Sequence, residues 1–167
     1  MRGFGVLTTI ALIVAGCGGG GGGHGDPNPV QPTSTPAPAV TATPIPTVNL
    51  VLQLSSSVDV AAASFSVGYE AGRGSFTGSG AQAQCQLGSS DTLAVNDDDA
   101  GTLKVAILPA DPTRAQNLAL PTTLTCSFDE TGGTVTTAGL RIGDKKVGVI
   151  DASGIVVAGD SSRLDVR

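Results

Sequence analysis

Ala63-Ser64-Phe65-Ser66-Val67-Gly68-Tyr69 is the stretch that decides the fold. Phe65, Val67 and Tyr69 alternate with Ser64, Ser66 and Gly68, and a period of two puts the three large side chains on one face of a strand. Working outward, Asn49 to Gln53 is a second clear strand. Gly74 to Ala83, Thr92 to Val95, Thr102 to Leu108, Thr122 to Phe128, Thr134 to Ile142 and Lys146 to Val157 follow as further strands. Turn signals separate them: Asp98-Asp99-Ala100-Gly101, Asp111-Pro112, Thr131-Gly132-Gly133 and Ser153-Gly154. Only Pro112 to Leu120 offers a short helical turn. Many short strands joined by Gly-rich turns predict an all-β domain, an antiparallel β-sandwich of two sheets. Val48 to Arg167 is enough chain for one hydrophobic core and not for two.

Upstream of this domain the composition changes twice. Residues 1–16 have a charged start at Arg2, an apolar run from Phe4 to Ala15 and small residues before Cys17, the three parts of a secretory signal. The run is too short to remain as a membrane-spanning helix. Its ending, Val14-Ala15-Gly16-Cys17, resembles the lipobox of bacterial lipoproteins. That resemblance implies diacylglycerol on the Cys17 thiol, cleavage before it, and a mature chain held to the membrane through a lipid anchor; several acyl chains together hold firmly where one alone holds marginally. It also implies a place in the cell envelope. Gly18 stands where an aspartate retains enteric lipoproteins at the inner membrane, which points to the outer membrane. Residues 17–47 then form a linker: a polyglycine run from Gly18 to Gly23, followed by a Pro/Thr-rich segment that holds most of the chain's ten prolines. Such a composition builds no core and favours coil and polyproline II, so it serves as a spacer.

Once Cys17 is lipidated, Cys85 and Cys126 are the remaining cysteines. Export to an oxidising compartment would make them a disulfide pair, with two separate buried thiols as the alternative. A two-cysteine metal site lacks further ligands, because the one histidine, His24, lies in the spacer. The same absence removes Ser-His-Asp and Cys-His catalysis from the folded domain, and nothing in the sequence pairs particular carboxylates for glycoside cleavage. No catalytic residue, and no enzyme activity, is expected. Asn96-Asp97-Asp98-Asp99 is the acidic cluster. Asp97, Asp98 and Asp99 offer oxygen ligands that suit calcium, a hard cation, but their spacing departs from the EF-hand loop and a solvated hairpin turn also accounts for them. No other cofactor is expected. The nine lysines and arginines are scattered apart from Lys145-Lys146, and the formal net charge is −5, so no nucleic-acid partner is expected.

Several segments resemble cohesin-type domains. Val58 to Tyr69 is similar to their opening, where small residues lead into an alternating strand that ends in tyrosine. Gly101-Thr102-Leu103-Lys104-Val105-Ala106-Ile107-Leu108 resembles the central strand that follows a glycine, Leu124-Thr125-Cys126-Ser127-Phe128 the next one, and Asp151 to Val157 the closing turn and strand. The resemblance implies a jelly-roll sandwich, related to certain cellulose-binding modules, whose work is to hold a dockerin-like protein partner in a carbohydrate-related surface assembly. The cysteine pair departs from the family's usual pattern, and the chain carries neither a dockerin of its own nor tandem cohesins.

A polysaccharide partner is the second expectation. Modules that grip sugar chains expose flat aromatic rings; here Phe65, Tyr69 and Phe128 are assigned to core positions and Phe76 is the one ring expected at the surface. A purely structural envelope protein is the third.

Overall fold

The computed structural model describes residues 43–111 and 113–167. Cys17, His24, the signal and most of the linker therefore lie outside the described residues, as does Pro112. Ten strands follow in order: β1 (Thr47–Ser56), β2 (Ala62–Gly68), β3 (Gly74–Phe76), β4 (Cys85–Leu87), β5 (Thr92–Asp97), β6 (Thr102–Leu108), β7 (Thr122–Glu130), β8 (Arg141–Ile150), β9 (Val156–Ala158) and β10 (Leu164–Val166). All pairings are antiparallel. The first sheet runs β10-β1-β7, with β3 and β4 both paired to β7; the second runs β5-β6-β2-β8-β9. The predicted all-β sandwich is what the chain forms.

The alternation that nucleated the prediction is the alternation that is buried. Ala63, Phe65 and Val67 of β2 face Leu103, Val105 and Ile107 of β6 on one side of the core, and Leu50, Leu52, Leu54, Leu124 and Phe128 of β1 and β7 supply the other. At the centre Tyr69, Phe76 and Phe128 pack edge-to-face, with ring centroids 5.2 to 5.5 Å apart, the arrangement aromatic quadrupoles favour. Cys85 sits directly opposite Cys126 across β4 and β7 and the two form a disulfide that closes a separation of 41 residues.

Four expected elements are corrected. Gly74 to Ala83 is a strand only as far as Phe76. Beyond it the chain loops out through Gly78, with a positive φ of 83°, and rejoins β7 as β4. Thr134 to Gly139 is irregular and ends in a 3-10 turn; β8 begins at Arg141 and runs through the break expected before Lys146. Lys146 to Val157 is divided by a turn in which the Asp151 carboxylate accepts from the Ser153 and Ile155 amides. Leu118 and its neighbours form no helix, because the Leu118 amide donates to the Val60 carbonyl instead. A fifth correction concerns Phe76, which is 2% exposed. It lies beside Gly74, where a Cβ would fall 2.0 Å from the Asp129 carbonyl oxygen; the missing side chain lets β3 close against β7 and carries Phe76 inward.

The edge segment of the first sheet is also tied to the second sheet. The Gly80 amide donates to the Asp97 carbonyl at 3.1 Å, and the Asp97 amide donates back to Gly80 at 3.0 Å.

Candidate functional site

Because successive side chains alternate, a strand with one face in the core presents its other face to solvent. On the second sheet that outer face is made of small residues. Ala94, Ala106, Ser64 and Lys146 form one row across β5, β6, β2 and β8, and Asn96, Lys104, Ser66 and Gly143 form the next. All of these except Gly143, together with Asp144, line an open groove of about 490 Å³. Further along the same sheet Leu108 is 45% exposed and Val156 51%. Gly148 leaves room for Val156 there, since a Cβ would come within 2.7 Å of its Cγ1.

One irregularity shapes the rim. Lys146 pairs with Ser64, yet Gly143, not Asp144, pairs with Ser66, so β8 holds one extra residue in a bulge. Asp144 takes a positive φ of 48° at this point. Its carboxylate thereby reaches back over the sheet to accept from the Ser66 hydroxyl at 3.0 Å. Lys145 is turned the other way, donating to the Leu164 carbonyl at 2.9 Å. The Lys145-Lys146 pair thus does two separate jobs. Sequence reasoning missed the Ser66–Asp144 bond; no spacing in the chain announces it.

The acidic cluster divides in a similar manner. Asp98 caps its own turn, accepting from the Ala100 and Thr102 amides at 2.9 and 2.8 Å, and those donors hold its carboxyl below the usual carboxylate range. Asp99 sits at a positive φ of 54°. Asp97 departs from the expected solvated turn. It is 3% exposed and accepts from the Tyr69 hydroxyl at 2.8 Å, while its Oδ2 has no partner. The signal was present in the sequence: Asp97 shares parity with Leu93 and Val95, which face inward. Burial pushes the Asp97 carboxyl up, only partly opposed by the tyrosine hydroxyl. Burial and then the Asp97 carboxylate push the Tyr69 phenol up in turn. Among the described residues no group of three or more His, Cys, Asp and Glu is placed to hold a metal.

This pair carries a prediction. Tyr69→Phe strands a buried carboxylate and should cost about 2–3 kcal/mol at neutral pH, measured by urea unfolding. The folded-state pKa of Asp97 is raised, so its contribution favours the fold below the ordinary aspartate value and is lost as pH rises through the raised one. Asp97→Asn removes that loss. Its stability relative to the wild type should therefore climb between pH 4 and pH 7, whereas a flat difference would mean that Asp97 titrates as a free residue.

The first sheet presents a different outer face. Asn49, Gln84, Gln86, Thr125 and Ser127 line an open, uncharged groove of about 520 Å³. No aromatic ring lies on either face: Phe65, Tyr69, Phe76 and Phe128 are all buried. Among the described residues no helix is long and apolar enough to cross a membrane. No family model, curated protein or solved structure matches the chain.

Proposed function

We propose that the chain is a lipid-anchored envelope protein whose sandwich is a protein-docking module, and that the outer face of β5-β6-β2-β8 is its docking surface. The observation that carries the reading is the groove itself. Ala94, Ala106, Ser64 and Ser66 line it, and Leu108 and Val156 are exposed on the same sheet, a surface flat enough for a partner's backbone to approach and apolar enough to reward contact. The resemblance to cohesin-type domains fits a dockerin-like partner in a carbohydrate-related surface assembly. Ser66 is the one groove hydroxyl tied to an acid, and its partner Asp144 is a carboxylate with no imidazole behind it, which suits recognition better than catalysis.

Ala106 stands at the middle of the face, between Ala94 and Ser64. Ala106→Trp should fill the groove while leaving the unfolding midpoint close to wild type, because surface changes away from the core cost little. A fragment starting at Thr43 should capture a protein from envelope extracts that the Ala106→Trp form does not. Gln86→Trp, on the opposite sheet, should capture it as the wild type does. Equal capture by all three would refute the reading.

The anchor rests on the stretch that ends in Cys17. Radioactive palmitate should label the wild-type chain and leave Cys17→Ser unlabelled and released from the envelope fraction. Polysaccharide binding is disfavoured by the burial of all four rings of the domain; the Thr43–Arg167 fragment should stay in solution over insoluble polysaccharide.

A further inference from the structure

Two ammonium groups flank the small-residue strip, and neither is held in an ion pair among the described residues. Lys104 and Lys146 both line the groove and are exposed, and the ion pairs among the described residues involve arginines alone. Lys104 lies level with Ser66 and Lys146 level with Ser64. The two therefore stand two strand spacings apart across the sheet and two residues apart along it, about 12 Å between backbones. The Asp144 carboxylate lies between them, one oxygen held by Ser66. Asn96 completes the polar rim. The surface thus reads positive, negative, positive around a strip of Ala94, Ala106 and Ser64, on a protein whose overall charge is negative.

Taking the docking surface as read above, we propose that its partner is a protein segment presenting two carboxylates, one to Lys104 and one to Lys146, with a hydrogen-bond donor between them for Asp144. The small residues Ala94, Ala106 and Ser64 let the charged ends meet while the strip between them packs. Charges at such a rim select the partner and speed its encounter more than they add affinity. The attraction is also screened by salt, because the ammonium groups are exposed.

The test uses the full-length chain in its own envelopes. A carbodiimide, which joins an amine directly to a carboxylate, should link Lys104 and Lys146 to acidic residues of one partner, located by mass spectrometry. Lys104→Glu with Lys146→Glu should lower recovery of that partner at least about tenfold, and high salt should do the same to the wild type. Gln53→Glu with Gln86→Glu, which adds negative charge to the opposite sheet, should change neither. Loss of the partner on Ala106→Trp together with indifference to lysine reversal and to salt would overturn the acidic partner and leave the docking surface standing. Indifference to Ala106→Trp would overturn both. Lysine-dependent binding to phosphatidylglycerol vesicles with no cross-linked protein would show an anionic lipid in the partner's place and sink the proposal.

Discussion

Phe128→Ala is expected to cost about 3–5 kcal/mol, the range for truncating a fully buried aromatic side chain. Phe128 is 0% exposed, and its ring lies edge-to-face with both Tyr69 and Phe76. Truncation removes the transfer free energy of the ring and opens a cavity between three strands. It also leaves the other two rings with only each other. Since Tyr69 positions the hydroxyl that meets Asp97, the loss should spread to that bond. Urea unfolding should show a lowered midpoint with a slope close to wild type. A cost below about 1 kcal/mol would mean that the aromatic cluster is not where the sandwich is held. Phe128→Leu, which keeps most of the volume, should lie well between the two.

Removal of the disulfide is the second large effect. Cys85→Ser with Cys126→Ser frees a loop spanning 41 residues, and the chain-entropy model puts the loss at about 4 kcal/mol. The bridge also fastens β4, three residues long, to the edge of β7. Beside it runs the segment whose Gly80 bonds Asp97 in the other sheet. The double variant should therefore show early amide exchange at Gln84 to Leu87 and at Gly80, ahead of global unfolding, while β2 and β6 stay protected. Uniform exchange across both sheets would refute this order of opening.

What was legible in the sequence was whatever depended on neighbours along the chain. Ala63 to Val67 announces its inner face by parity alone and Thr102 to Leu108 announces a strand, and both lie as read. The cysteine pair was legible because the stretch from Val48 to Arg167 holds two cysteines and no third to compete for either. The elements that were missed depend on contacts far along the chain. β10 is three residues long, and Leu164 is buried because β1 is already in place opposite it. β3 reads as part of a longer strand to Ala83, and β4 as no strand at all, until β7 is seen to pair with both. Phe76 was misplaced for the same reason: its burial follows from β3 closing on β7, a contact more than fifty residues away by number. The docking face shows the same limit. Each of Ser64, Ala94, Ala106 and Lys146 is recognisable as an outward position, yet nothing local says that β5, β6, β2 and β8 lie side by side. Asp97 is the reverse case, since its parity with Leu93 and Val95 pointed inward while its place in an acidic run pointed outward.

The extra residue in β8 has a genetic consequence. With one residue more than its neighbour, the strand keeps two reading frames, one on each side of the bulge, and Asp144 is the spacer between them. Exchanging Asp144 for asparagine leaves both frames in place. Losing its codon merges them into one regular register, in which Ile142 and Val147, then four positions apart, both still face inward. Drift at this point is thus free to shorten the strand as well as to recolour it, and what a deletion takes away is the rim carboxylate on Ser66, not the inward order of the strand.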